Sequence, residues 1–308
     1  MKLGIDLGGT KIEGAVLGEG GAVLARRRTP TPRHDYAGTV GAVKTLVEAL
    51  EQEVGRCAPR VGVGIPGSIS PSTGHVRNAN SVWLIGKPFD ADLAEALQRP
   101  VRAANDANCF ALSEATDGAG AGARVVFGVI AGTGVGGGLV VDGKVIAGRN
   151  GVAAEWGHIP LPDPKDDERP GPLCYCGRRG CLETWLSGPA LAADFARAVG
   201  AGEGDGPSAR EISDLAEAGD PEAEAAIARH SDRFGRALGT MINIVDPDVV
   251  VLGGGLSNLP GLADRLSAAM RPHVFSDSVD TEIRVNLHGD SSGVRGAAWL
   301  WDSEERLA

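Results

Sequence analysis

Apolar positions divide the chain into short strands and amphipathic helices, in an order that occurs twice. Leu3–Leu7, Lys11–Leu17 and Ala22–Arg28 are apolar-rich runs separated by Gly-rich turns, which predicts an antiparallel meander. A helical period covers Tyr36 to Val54, and the continuous apolar run Val61–Ile65 predicts a buried strand closed by Pro66-Gly67. Ser68–Asn80 is polar and is expected to be looped, followed by a helix over Phe89–Gln98, a strand over Val101–Asn105 and a helix over Asp106–Thr116. The opening pattern then returns. Gly4-Ile5-Asp6-Leu7-Gly8-Gly9-Thr10 and Gly128-Val129-Ile130-Ala131-Gly132-Thr133-Gly134 are both strands ending in small-residue turns, and each leads into two more strands (Gly138–Val141 and Lys144–Ala147 in the second copy). A long helix over Glu222–Val245 leads to the strand Val249–Leu252 and the turn Gly253-Gly254-Gly255. Pro260–Met270 reads as helix, Glu282–Val285 as strand and Gly293–Trp301 as a last helix. Gly200–Ser208 is the one stretch that reads as a flexible loop. The duplication predicts two similar α/β domains with a cleft between them, residues 1–118 with 292–308 and residues 119–291.

Composition narrows the class. The chain has 308 residues, enough for two cores, and a formal charge of −10 with no basic stripe, which argues against a nucleic-acid partner. No apolar run approaches the ~20 residues of a membrane span, and Met1–Asp6 is a strand and not a charged-then-apolar leader, so a soluble cytoplasmic protein is expected. Gly is used 46 times, about twice the average, and the excess lies in runs such as Gly132–Gly138 and Gly253–Gly255.

Two of those runs only spell known motifs. Gly132-x-Gly134-x-x-Gly137 matches the dinucleotide fingerprint, but a strand follows it where that motif needs a helix. Gly138-x-x-x-x-Gly143-Lys144 ends in Val145 and lacks the hydroxyl of a P-loop. A pair of phosphate-binding hairpins fits better. In Asp6-Leu7-Gly8-Gly9-Thr10-Lys11 the glycines expose backbone N–H groups, Thr10 adds a hydroxyl and Lys11 a charge, and Asp6 is placed to hold Mg²⁺ through water. Gly132-Thr133-Gly134 is its counterpart, and Gly254-Gly255 would let an adenosine lie close against the backbone. A Gly-Gly turn is often only a hairpin; three runs, each following a strand, favour the phosphate reading. Asn105-Asp106-Ala107-Asn108 stands at a strand-to-helix junction, where Asp106 is either a plain N-cap or a carboxylate aimed into a cleft.

Residues 155–183 carry the densest chemistry. His158 precedes Cys174, Cys176 and Cys181, and clustered Cys with His in a cytosolic chain point to a closed tetrahedral Zn²⁺ site of structural type. Gly177 and Gly180 let the backbone fold tightly enough for three sulfurs to share one centre. Glu155 and Glu183 flank this set and read as groups that the metal knot positions. Cys109 reads as a small core residue, Cys57 as incidental, and Trp83, Trp156 and Trp185 as packing residues.

Asp6–Lys11, Gly64-Ile65-Pro66-Gly67, Asn105–Asn108, Gly132–Gly134, Glu155-x-Gly157-His158 and Cys174-x-Cys176-Gly177-x-x-Gly180-Cys181-x-Glu183 together resemble the ROK family of bacterial sugar kinases, over residues 3 to about 301. The resemblance implies an actin-like ATPase fold (ribonuclease H-like), ATP and Mg²⁺ as cosubstrate and cofactor, a structural Zn²⁺ and a homodimer. It implies Asp106 as general base, with Asn105, Glu155, His158 and Glu183 holding sugar hydroxyls and Gly67 and Asn80 nearby. Gly67–Pro71, Asn78–Ser81 and His288–Trp299 are most similar to bacterial fructokinases that accept mannose, which implies conversion of fructose to fructose 6-phosphate. Glucokinase and N-acetylglucosamine kinase are the alternatives within the family, and a sugar-binding regulator is the non-enzymatic one. The family's DNA-binding regulators carry a helix-turn-helix domain ahead of the kinase-like part, and with the first phosphate motif starting at residue 4 the regulator is not the expected reading. Ala131 departs from the family, which usually has a larger aliphatic residue before the second phosphate loop.

Overall fold

The computed structural model describes residues 1–202, 204 and 206–302. In chain order the elements are β1 (Lys2–Leu7), β2 (Lys11–Leu17), β3 (Val23–Pro30), α1 (Tyr36–Val54), β4 (Val61–Ile65), β5 (Ser68–Ile69), β6 (Val76–Arg77), α2 (Phe89–Leu97), β7 (Val101–Asn105) and α3 (Asp106–Asp117). They continue with β8 (Val125–Ala131), β9 (Val135–Val141), β10 (Lys144–Val145), α4 (Glu183–Leu186), α5 (Gly188–Ala198), α6 (Ala209–Glu217), α7 (Pro221–Val245), β11 (Val249–Gly253), α8 (Leu262–Met270), β12 (Glu282–Val285) and α9 (Ser292–Trp299).

Two five-stranded sheets repeat one plan, β3-β2-β1-β4-β7 and β10-β9-β8-β11-β12. In the first, β1, β2 and β3 are antiparallel, while β4 runs parallel to both β1 and β7. In the second, β11 runs parallel to both β8 and β12. The duplication predicted from the Gly-turn repeats is therefore present strand for strand. Chain contacts divide the molecule into one unit of residues 1–122, 138–153 and 287–308 and another of residues 123–137 and 154–286.

Local sequence explains the boundaries. Asp35 caps α1 by accepting from the Gly38 N–H at 2.8 Å, and Gly55, at φ 70°, ends it in the left-handed region that only glycine enters without strain. Asp220 caps α7, Pro221 opens it, and Glu222 and Glu224 face its positive end. The first unit's core joins Leu3, Ile5 and Leu7 of β1 to Val43, Val47 and Leu50 of α1 and Val61, Val63 and Ile65 of β4. On its other face α9 lies close to the strands because Gly62 has no side chain; a Cβ there would sit 1.8 Å from the Ala297 carbonyl.

Several expectations need correction. Ser68–Asn80 is not all loop: β5 and β6 form a short hairpin, with the Ser70 N–H donating to the His75 carbonyl at 2.8 Å. β3 starts at Val23 and β10 ends at Val145, and α8 starts at Leu262 because Gly261 adopts φ 65°. The loop expected over Gly200–Ser208 includes residues 203 and 205, which lie outside the described residues. Among the described residues no helix is long and apolar enough to cross a membrane.

Candidate active site

In the first unit the candidate residues gather at the carboxyl ends of the three parallel strands. Register places Asp6 of β1 beside Gly64 of β4, and Ile65 beside Asn105 of β7. The Asn105 side chain does two structural jobs. Its Oδ1 accepts from the N–H groups of Ala107 (2.9 Å) and Asn108 (3.4 Å), capping α3, and its Nδ2 donates to the Gly67 carbonyl at 3.0 Å. The cap of α3 is thus Asn105, and Asp106 is the first helical residue, exposed at a helix N-terminus. Gly67 has φ 77°, and a Cβ there would lie 2.3 Å from the Arg77 carbonyl and 2.8 Å from the Ala79 N–H nitrogen, so the loop bearing exposed Asn80 closes on it.

Asp6 is the electrostatic centre of this end. Burial first, then the negative charges of Asp106 and Glu13, push its carboxyl up to about 7 against the opposing pull of Lys11. The same surroundings push the buried Cys109 thiol well up, which fits its reading as an inert core residue. A buried carboxylate beside a second carboxylate is a poor place for two negative charges and a good one for a divalent cation, so the donor chemistry fits Mg²⁺. The turn after β1 is tied by the Gly8 N–H to the Lys11 carbonyl (2.9 Å) and by Thr31 Oγ1 to the Gly8 carbonyl (2.8 Å), leaving Thr10 and Lys11 exposed.

The second unit places Gly-rich turns after β8 and β11. Gly254, at φ 80°, comes so close to β8 that a Cβ would lie 2.4 Å from the Ala131 carbonyl, and a Cβ on Gly132 would lie 3.5 Å from the Gly255 nitrogen. Gly132, Gly254 and Gly255 are therefore brought together, with Thr133 exposed between Gly132 and Gly134. Glu183 joins this group. Its Oε2 accepts from the Val135 N–H at 3.1 Å, and a Cβ on Gly134 would stand 2.6 Å from that oxygen. Glu183 is half-buried, while Glu155 is exposed at the start of a 3₁₀ turn over Trp156–His158. Trp156 is buried and donates from Nε1 to the Gly136 carbonyl at 2.9 Å, a packing role as expected.

His158, Cys174, Cys176 and Cys181 converge, with one donor atom from each lying within 4.8 Å of the others. Zn–S bonds of about 2.3 Å and Zn–N bonds of about 2.0–2.1 Å make a tetrahedron whose edges are about 3.5–3.8 Å. Cys176 Sγ lies 3.6 Å from Cys181 Sγ, and Cys174 Sγ lies 3.6 Å from His158 Nδ1. Donor set and spacing fit a zinc ion. Gly177 (φ 86°) and Gly180 (φ 70°) take the conformations that the tight spacing demanded. His158 Nε2, however, meets the hydroxyl of Tyr175 at 2.8 Å, a partner that residue-type reasoning did not single out.

A second set also went unread, a charge network behind the zinc knot. Arg229, Arg233 and Arg236 form one stripe of α7. Arg233 donates to Glu168 (2.8 Å) and Asp194 (2.9 Å), and Arg236 donates to both oxygens of Glu168 (2.8 and 2.9 Å) and to the carbonyls of Pro162 and Asp163. Arg233 also lies 4.7 Å over the Trp185 ring, and buried His230 Nε2 is 3.1 Å from the Leu186 carbonyl. α7 thereby grips the loop between His158 and Cys174 and the short helix α4 that begins with Glu183. The spacing of the arginines along α7 marks its half of this network, and nothing in the sequence marks the Glu168 half.

Comparison with known proteins gives one answer at the level of family. The sequence model of the ROK family matches residues 2–304. An N-acetyl-D-glucosamine kinase of Shigella flexneri is 41% identical over 304 residues, covering 97% of this chain and 99% of that protein. Among solved structures, a ROK hexokinase from Thermus thermophilus superposes with a TM-score of 0.87 at 34% identity, covering 100% of both chains. A ROK-family glucokinase from Streptomyces griseus, in complex with glucose and AMPPNP, superposes with a TM-score of 0.77 at 32% identity, covering 97% of this chain and 98% of its own.

Proposed function

Because the chain belongs to the ROK family, and is an ATP-dependent hexose kinase of that family, we propose that its sugar is N-acetylglucosamine and that the product is the 6-phosphate. The observation that carries the choice is likeness over 97% of the chain, at 41% identity, to an N-acetyl-D-glucosamine kinase. The preference for fructose and mannose rests on two short stretches of sequence, Gly67–Ser81 and His288–Trp299, and takes second place to a full-length relationship. Glucose is the second reading, favoured by the fold shared with a hexokinase and a glucokinase at 32–34% identity.

In this reading Asp106 takes the proton of the attacking sugar hydroxyl. Its support is the division of labour at the head of α3: Asn105 serves as the cap, so the neighbouring carboxylate is held at a helix N-terminus on an exposed position. Gly67 and Asn80 line the same end of the sheet, and Asn105 retains one amide hydrogen beyond its bond to Gly67 for a sugar oxygen. Glu155, His158 and Glu183 are the sugar-binding groups of the second unit. Lys11, Thr10 and the backbone of Gly8 and Gly9 hold phosphate, as do Gly132, Thr133 and Gly134, while Gly254 and Gly255 receive the adenosine. Asp6 would hold Mg²⁺, which would supply charge neutralisation for the phosphates, and phosphoryl transfer asks for little beyond that and positioning. His158, Cys174, Cys176 and Cys181 would hold Zn²⁺ with no position left open, so that it would supply only shape.

A coupled assay of N-acetylglucosamine, glucose, mannose and fructose at equal ATP tests the sugar. N-acetylglucosamine should give the highest kcat/KM. A tenfold lead for glucose or fructose would sink this choice of sugar and leave the hexose-kinase assignment standing.

A further inference from the structure

Tyr175 lies between two of the three clustered cysteines, and its side chain divides into two environments. The ring is in solvent, the residue being 81% exposed, while the hydroxyl is tied to His158 Nε2 at 2.8 Å with the two rings edge to face, 5.1 Å between centroids. The hydroxyl is therefore on one of the groups that the second unit offers to the sugar. His158 Nδ1 faces Cys174 Sγ and is the nitrogen turned to the metal set, which leaves the proton on Nε2. One N–H directed at a hydroxyl oxygen is a recognition site for an alcohol. Here the alcohol is the protein's own.

We propose that Tyr175 is a specificity-determining residue of the sugar site: its hydroxyl keeps the place on His158 Nε2 that a sugar hydroxyl takes, and the sugar binds by displacing it. This rests on the reading of His158 as a sugar contact. Nε2 carries a single hydrogen, so it serves one acceptor well. Exchanging phenol for sugar hydroxyl replaces one neutral hydrogen bond by another, so the net cost is small for the right ligand. A ligand with no hydroxyl at that position leaves a polar N–H unpaired, or must bind beside the phenol. The displacement breaks little else. The backbone on both sides is held by Cys174 and Cys176, and the largely solvated ring gives up its edge-to-face contact with His158 when its side-chain torsions turn it outward.

The chain has only two tyrosines, Tyr36 and Tyr175, which makes the residue visible by spectroscopy. Zinc-replete protein containing 3-fluorotyrosine is titrated with N-acetylglucosamine and separately with glucose, without ATP, and followed by ¹⁹F NMR, with Tyr175→Phe assigning the signals. The Tyr175 signal should move on sugar binding and the Tyr36 signal should not. In steady state, Tyr175→Phe should lower KM for the accepted sugar about 2- to 10-fold, the worth of one net hydrogen bond, with kcat, KM for ATP and zinc content unchanged. A raised KM would make Tyr175 a direct sugar contact and overturn the displacement. An unchanged KM, or a stationary Tyr175 signal at saturating sugar, would make it a bystander and overturn it equally. Wild-type protein that phosphorylates the hexose while the variant gains no affinity sinks this proposal alone; wild type that binds and phosphorylates no hexose sinks the sugar-site reading beneath it.

Discussion

The two units arrive at similar Gly-rich turns but hold their candidate site groups by different means. In the first, Asp6, Asn105 and Asp106 stand at the ends of regular strands, and Gly67 and Asn80 lie on loops that close on them. Their positions follow from strand register, one Asn cap and an apolar core. In the second, Glu155 and His158 sit on a short 3₁₀ turn and Glu183 opens the four-residue helix α4, with one bond to the edge of β9 at Val135. A cysteine and histidine cluster on one side and a buried ion network on the other take the place of secondary structure. The consequence is energetic. A position set by backbone hydrogen bonds and packing tolerates loss of any one polar contact, whereas a position set by a metal and a few buried charges fails when one of them is removed.

The largest effect should come from the first unit and should be chemical, with no change of stability. Asp106→Asn is expected to lower kcat by ~10²–10⁴-fold, the usual loss with a general base. Folding should be untouched, because the cap of α3 belongs to Asn105. Circular dichroism and ATP binding on the purified variant check the second half. Retention of more than a tenth of the wild-type rate would assign the base to another residue.

In the second unit the corresponding change acts through structure. Cys181→Ser removes one buried donor and should reduce bound zinc, measured by metal analysis, from one per chain to well below one. Changes merely outside a metal's ligand shell cost about 10–100-fold in metal affinity, and losing a ligand costs at least that. KM for the sugar should rise far more than KM for ATP, since Glu183 follows Cys181 by two residues. Equal loss of both substrates would mean that the knot supports the whole unit, and the contrast drawn above would fail.

That contrast also explains what could be read from the sequence. The first unit was legible almost element by element, because periodicity and Gly turns are local signals. α1, β4, β7 and α3 lie within a residue of where the pattern put them, and the strand-for-strand repeat followed from two Gly-rich turns. The convergence of His158, Cys174, Cys176 and Cys181 was legible because cysteine and histidine advertise themselves by type and spacing. The helices from α4 to α6 were passed over, although Ser187-Gly188-Pro189 spells a cap followed by Pro, and Ser208-Ala209-Arg210-Glu211 spells a capping box that the structure forms. The Glu168 network was illegible for a physical reason. Glu168 lies in a charged, Pro-rich segment that looks solvated, and only its pairing with arginines 65 and 68 positions away buries it.

The smallest effect comes from one substitution made in both units. Glu168 and Glu13 are each buried carboxylates paired with two arginines. They differ in the partners: Arg233 and Arg236 have side chains 5% and 3% exposed, whereas Arg26 and Arg28 are 39% and 46% exposed. Glu168→Gln takes one carboxylate from two buried guanidinium groups, which keep Asp194 and Asp232, so the cost should lie at the low end of the range for a broken buried pair, about 3 kcal/mol, and lower Tm by roughly 10 °C for a domain of this size. The sign with pH is fixed as well. Although burial opposes it, hydrogen bonds from Arg236 and Arg233 hold the Glu168 carboxyl down to about 2, from an ordinary value of 4.5. Its contribution is therefore fully present above pH 4.5 and is lost as pH falls from there through 2. Buried His230, lowered to about 4, loses its share earlier, as pH falls from 6.5 through 4. Only the lower of these two windows should vanish from the acid-denaturation curve of Glu168→Gln. Glu13→Gln leaves its arginines free to turn into water, so its cost should be near that of an exposed pair, about 1 kcal/mol or less, with sugar kinetics unchanged. Equal losses from the two variants would show that burial of the carboxylate alone sets the cost, and that the second unit has no special dependence on its buried charges.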